Sequence, residues 1–252
     1  MRTFRILLAK ELRAFFLSPI AYVVLALVML LNGAAFYASV RFMEKGPSEG
    51  SLVSWTFDSR WFYLSYFAIF PLITMRLFSE EQKLGTIETL LTAPVRTAEV
   101  IFSKYIAAVI FYCVLWLPSV LNFYVFQWIT RGMAELPPGQ LIGSYTIVFV
   151  MGLFNISIGC LASALTKNQI VAAILSFTMI LLHFLLGAFM LYLSDQNHQQ
   201  YAELTTYFAS ILHIKSFASG LIDTRPIVYY LSFTALILSL THQVLDFRRW
   251  KV

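Results

Sequence analysis

Six long stretches of this chain carry no charged side chain: Ala14 to Val40, Trp61 to Met75, Tyr105 to Thr130, Leu136 to Thr166, Asn168 to Ser194 and Pro226 to Leu245. Five reach the roughly 20 residues that a helix needs to cross about 30 Å of hydrocarbon. The second has only 15, yet Arg60 and Arg76 flank it with stems long enough to reach the headgroup layer, and its helix is expected to begin as early as Phe57. With 59% hydrophobic and 12% charged residues and a mean hydropathy of +0.75, the chain reads as an all-α polytopic membrane protein. The expected layout is one transmembrane domain over residues 1–252. Its spans lie at 20–40, 57–78, 100–128, 141–165, 169–193 and 226–246, with an interface helix over 1–18, a cytoplasmic segment over 79–95 and an outer segment over 195–225.

Lys and Arg in the flanks orient these spans. Twelve of the 18 basic residues, among them Arg2, Arg5, Lys10, Arg13, Arg76, Lys83, Arg96, Lys104 and Lys167, fall on the side of the termini, against six on the other. Both termini and the 79–95 segment are therefore expected in the cytoplasm. The positive excess is a topological signal, and no nucleic-acid module accompanies it. A cleaved leader is disfavoured by Glu11 and by the five further apolar runs. Cys113 and Cys160 both lie inside spans, so neither a disulfide framework nor a metal site is built on them.

The stretch Met75 to Val95 is charged yet structured. Ser79 with Gln82 reads as a capping box, and Thr86 with Glu88 as a second helix start, with Gly85 between them. Ile87, Leu90 and Leu91 then form an apolar edge opposed by Glu88 and Thr92, and Pro94 ends the helix. So short a helix is unstable alone in water and must dock, either on lipid headgroups or in a groove of a cytosolic protein. Pro71, just before it, predicts a kink that aims it.

The first 18 residues place Phe4, Leu7, Leu8, Leu12 and Phe15 on one arc, as in a helix lying in the interface. Glu11 falls inside that arc. Its expected state is a locally solvated side chain, with neutralisation by Lys10 or a loop, or contact with a partner protein, as the alternatives. In the fourth span Gly152, Asn155, Gly159, Ala162, Ser163 and Thr166 make a stripe of small and polar residues that lets another helix approach closely. Packing within the chain and a subunit contact or pathway lining both fit. Thr166-Lys167-Asn168-Gln169 forces a tight hairpin. His183, in the fifth span, reads as an imidazole bonded to a neighbouring helix or as a functional intramembrane group. Leu204 to Ile214 is too short to cross and is expected to lie in the outer interface or re-enter, burying Phe208, Ile211, Leu212 and Phe217.

No glycine is followed by lysine, so no phosphate loop of the Gly-x-x-x-x-Gly-Lys type exists and ATP hydrolysis by this chain is not expected. No Gly-x-Ser-x-Gly elbow, paired-His metal site or Cys/His nucleophile pair is present either.

Met75-Arg76-Leu77-Phe78-Ser79-Glu80-Glu81, followed by Gly85-Thr86-Ile87-Glu88-Thr89-Leu90-Leu91 and Pro94-Val95, resembles the motif of ABC-2-type transporter permeases. Lys10-Glu11, Leu17-Ser18-Pro19-Ile20-Ala21-Tyr22, Ile142-Gly143-Ser144-Tyr145, Leu165 to Ala172, Gly220-Leu221-Ile222-Asp223 and Tyr230-Leu231-Ser232 match as well. Together they resemble most the gliding-motility-associated (GldF-type) branch, with nitrous-oxide-reductase maturation (NosY-type) permeases as relatives. The likeness implies a non-catalytic six-helix half-transporter in a bacterial inner membrane. It would pair with a second permease chain, identical or related, and sit on ABC ATP-binding subunits that carry ATP and Mg, this chain binding no cofactor. It further implies that Glu80, Glu81, Gly85, Thr86, Ile87, Glu88, Leu90 and Leu91 form the ATPase-coupling region and that the interface helix with Lys10 and Glu11 leans on the same partner. Pro71, Gly152, Asn155, Gly159 and His183 would serve helix packing or the pathway. Membrane lipid is the remaining expected partner. Two other readings stay open: a gradient-driven secondary transporter, for which only His183 qualifies as a mid-membrane ionisable group, and a non-transporting anchor of a motility or secretion assembly.

Overall fold

A computed structural model describes residues 2–44, 50–87, 95–132, 136–195 and 202–249. Within them the backbone is helical, without strands. The helices are α1 (Arg2–Phe16), α2 (Pro19–Met43), α3 (Leu52–Phe57), α4 (Arg60–Thr74), α5 (Ser79–Leu84), α6 (Thr97–Ile129), α7 (Pro138–Leu165), α8 (Gln169–Asp195), α9 (Ala202–Phe208), α10 (Ser210–Ala218) and α11 (Thr224–Arg249). Six stretches are long and apolar enough to cross a membrane: α2, the Arg60–Leu84 run that holds α4 and α5, α6, α7, α8 and α11.

α7 is the axis of the bundle. Of its most apolar window 83% is buried, against 22% for α8 and 28% for α11, which places α7 inside and turns the others outward. α11, α8, α10 and α4 all pack on it. The core between α4, α6 and α7 is aromatic: Phe62, Tyr66, Phe70, Tyr112 and Phe123 are buried, and tilted or edge-on pairs such as Tyr66–Phe70, with centroids 4.9 Å apart, fill it. Large apolar side chains on α2, α8 and α11, including Val23, Leu30, Leu182, Val228 and Leu236, stay exposed, as helices facing lipid require.

The small-residue stripe of α7 is spent inside the chain. A Cβ at Gly152 would lie 2.3 Å from the Tyr112 ring and one at Gly159 2.1 Å from Thr74 Oγ1, so only glycine admits these neighbours. Asn155 Nδ2 donates to Tyr66 Oη at 2.6 Å. His183 Nε2 lies 3.2 Å from Tyr229 Oη on α11, and its ring packs edge-on against Phe154 at 4.9 Å.

Several expectations need correction. The second span does not start at Phe57: Phe57 ends α3, and Ser59 caps α4 by accepting the Phe62 N–H at 3.1 Å. Between the first two spans, α3 buries Leu52, Val53 and Phe57. α4 runs through Pro71, and the interruption falls at the turn Met75–Phe78. The 204–214 stretch breaks at Ala209 into α9 and α10: Phe217 is buried as expected, and so are Thr205, Ala209, Ser210, His213, Ile214 and Ala218, while Phe208, Ile211 and Leu212 are only half-buried. Cys160 is buried, but Cys113 is exposed.

The Thr166–Gln169 hairpin forms as expected. Thr166 Oγ1 accepts the Asn168 N–H at 3.1 Å, and Asn168 Oδ1 accepts the Ile170 N–H at 2.9 Å, satisfying a donor at the start of α8.

Candidate functional site

α1 carries its apolar arc as the sequence suggests, with Leu7, Leu8, Leu12 and Phe15 half-buried and the opposite face exposed. The arc packs on the first half of α6, where Phe15 stacks on Phe111 with centroids 5.2 Å apart. Glu11 is therefore pressed into the contact and is only 8% exposed, which overturns the expectation of a locally solvated side chain.

Its partner is Lys104, two turns into α6. Lys104 Nζ lies 3.0 Å from Glu11 Oε1 and 3.1 Å from Glu81 Oε1, with its side chain 3% exposed. Lys10 Nζ closes the group at 3.3 Å from Glu81 Oε1 and 3.8 Å from Glu11 Oε1. The Lys104 ammonium also faces the Phe78 ring, 5.6 Å from its centroid. Two ammonium and two carboxylate groups thus meet from three segments, α1, α5 and α6. Such a knot is a poor source of net stability but a strict one: removing one buried member strands the rest, at a cost of about 3–5 kcal/mol.

A second clamp joins α5 to the end of α7. Ser163 Oγ accepts the Phe78 and Ser79 N–H groups at 3.0 and 3.1 Å, two of the donors that a helix start leaves open. Gln82 Nε2 donates in return to Ala164 O at 2.9 Å and to Ser163 O at 3.4 Å, carbonyls that the last turn of α7 leaves open. The predicted capping box of Ser79 with Gln82 does not form, because Ser79 Oγ turns back to Met75 O and Gln82 is engaged by α7. A third tie runs through Arg76, whose Nε donates to Glu80 Oε2 and whose Nη1 donates to Ser18 Oγ at the foot of α2, both at 2.9 Å.

α5 ends at Gly85, which sits at φ +72°, a left-handed position that costs other residues about 1–2 kcal/mol. Beyond these ties Lys83, Leu84, Gly85 and Thr86 are exposed, Leu84 at 68%, and Ile87 turns back inside. Glu88, Leu90 and Leu91 lie outside the described residues. Of the expected coupling residues only Glu81 joins Lys10 and Glu11, the latter through Lys104, while Glu80 pairs with Arg76 instead; Pro71, Gly152, Asn155 and Gly159 are buried within the bundle and His183 is half-buried there. Lys104, Ser163 and Gln82 went unrecognised as site residues. A lysine inside a span, complementary to a carboxylate inside an apolar arc, was the available signal.

Among the described residues, this arrangement engages its charged and polar groups mainly with one another. It is a mechanical joint that fixes one short helix to four others. No curated protein matches the chain. Residues 13–184 match the model of the ABC-2 family transporter protein, and this span takes in the foot of α1, Glu80, Glu81, Lys104 and Ser163; the chain belongs to the ABC-2 transporter family, as a multi-pass, non-catalytic permease of an ABC transporter.

Proposed function

We propose that this permease is the membrane half of an exporter and that Lys83–Thr86, together with the segment that follows, is the surface on which a separate ATP-binding subunit pushes. The observation that carries this reading is the joint itself: α5 is bound to α1, α2, α6 and α7 by charge and hydrogen bonds while its far end presents Leu84 to the outside. A displacement of α5 cannot be absorbed locally, because packed cores shift between discrete arrangements rather than deform. It would reach α7, the bundle axis, through Ser163 and Gln82. Glu80 and Glu81 then act as inward anchors, with the docking contact left to the exposed turn.

The excess of basic residues on this side supports cytoplasmic termini. The motif likeness supports a place near the gliding-motility-associated branch and a bacterial inner membrane. The outward faces of α2, α8 and α11 leave room for a second permease chain. A photo-cross-linker at Leu84, in vesicles holding the permease with its co-purifying ATP-binding subunit, should capture that subunit, and ATP-dependent efflux should accompany it. Capture without flux would indicate an anchoring role, and absence of capture would contradict the docking surface.

A further inference from the structure

Between α1, the first turns of α2, the end of α4 and α5 lies a cavity of about 300 Å³, at the lower end of pockets that hold small ligands. Its lining is divided. Ala14, Phe15, Ala21, Val24, Leu72 and Ile73 form an apolar part, and Lys10, Glu11, Arg76, Glu80, Glu81 and Lys104 form a charged part. Val24 stands five residues beyond Pro19, so the apolar part reaches about 7 Å along the first span from its charged rim.

The charges balance at three cations and three carboxylates, which suits a zwitterion better than an anion. Arg76 spends one N–H on Glu80 and one on Ser18, leaving three of its five donors for an anionic group. Lys10 is half exposed and can supply a second cation. Glu81 Oε2 is buried and has no hydrogen-bond partner among the described residues, a state that costs about 1–3 kcal/mol unless a donor arrives. A phosphate beside an ammonium, carrying an apolar tail, satisfies all three conditions.

We propose that this wedge binds one aminophospholipid, of the phosphatidylethanolamine type, from the leaflet at whose face α1 lies. Its phosphate meets Arg76 and Lys10, its ammonium donates to the carboxylate of Glu81, whose side chain is 16% exposed, and the upper part of one acyl chain lies along Val24 and Leu72. The lipid thereby fastens the joint of α1, α2 and α5. Leu84 and Thr86 of the docking surface proposed above also line the cavity, but the inference stands on the cavity and its charges and not on that docking.

Native mass spectrometry of the purified full chain, equilibrated with vesicles of equal parts phosphatidylethanolamine, phosphatidylcholine and phosphatidylglycerol, tests it. One phosphatidylethanolamine per chain should be retained, at least about tenfold over phosphatidylcholine, whose quaternary nitrogen cannot donate the charge-assisted bond. Ala14→Trp, at an exposed position on the rim, should fill the space and remove the bound lipid. Arg76→Gln should reduce the preference even if Ala14→Trp fails to fold. Equal retention of the three lipids, a preference for phosphatidylglycerol, an unaltered lipid count in Ala14→Trp, displacement by free phosphoethanolamine, or loss of the lipid when the ATP-binding subunit is bound would each overturn the proposal.

Discussion

The two ends of this bundle bury polar groups by opposite means. At the foot, Lys104, Glu11, Glu81 and Lys10 meet as full charges between 3.0 and 3.8 Å apart. At the outer cap the polar groups are neutral: His213 Nδ1 lies 2.9 Å from Tyr230 Oη, its Nε2 2.8 Å from Thr206 O, and Ser210 Oγ 3.1 Å from Tyr230 Oη. Neutral bonds tolerate replacement of both partners by apolar groups, whereas a buried charge with one partner removed has no acceptable state. The foot is therefore brittle and geometrically strict, which suits a part that must transmit force, and the cap is adaptable.

Lys104→Met breaks the comparison most severely. It leaves Glu11 and Glu81 facing each other with only the half-exposed Lys10, and should lower stability by about 3–5 kcal/mol, read as thermal unfolding in detergent. No single hydrogen-bond removal at the cap, such as Tyr230→Phe, should exceed about 1–3 kcal/mol. Gly159→Val comes next. Its Cβ would lie 2.1 Å from Thr74 Oγ1, so overpacking of about 1–3 kcal/mol is expected beside the Ser163 clamp.

The cap should be distinguished by pH instead. Burial holds His213 below its ordinary value, with Thr206 O and Asp223 acting in the opposite direction. The folded cap then binds fewer protons than the unfolded one as pH falls through the ordinary histidine value of about 6.5, so its stability is present above that pH and declines below it. Among the groups around it, Asp223 is held below its ordinary value, chiefly by the Arg225 N–H. The protection of α10 amides against hydrogen exchange, corrected for the intrinsic pH dependence of exchange, should fall between pH 7 and 5, and His213→Gln should flatten that response. The smallest expected effect is Gly85→Ala, about 1–2 kcal/mol from the left-handed backbone, but it should lower stimulation of the partner ATPase more than it lowers stability.

Much of the fold was legible because lipid makes spans uniform. The six runs, the Thr166–Gln169 hairpin and the Gly85 break are all local patterns that survive without tertiary information. The site was legible only in part. Glu11 was visible as a misplaced charge, but its partner lies 93 residues away, and Lys104 reads locally as one more flanking cation. The pairing of Ser163 and Gln82 with helix ends has no period at all, so the capping-box reading of Ser79 with Gln82 was natural and mistaken. At the cap, the break at Ala209 turned His213 and Ile214 inward where unbroken apolar spacing pointed to Ile211 and Leu212.

The most direct test of the joint is a double-mutant cycle on partner ATPase stimulation in reconstituted vesicles, with Glu81→Gln, Lys104→Met and the pair together. If the buried contact transmits the push, each single variant should lose most of the stimulation and the double variant should lose no more than either. Additive losses, or full stimulation by a folded Lys104→Met permease, would contradict the account.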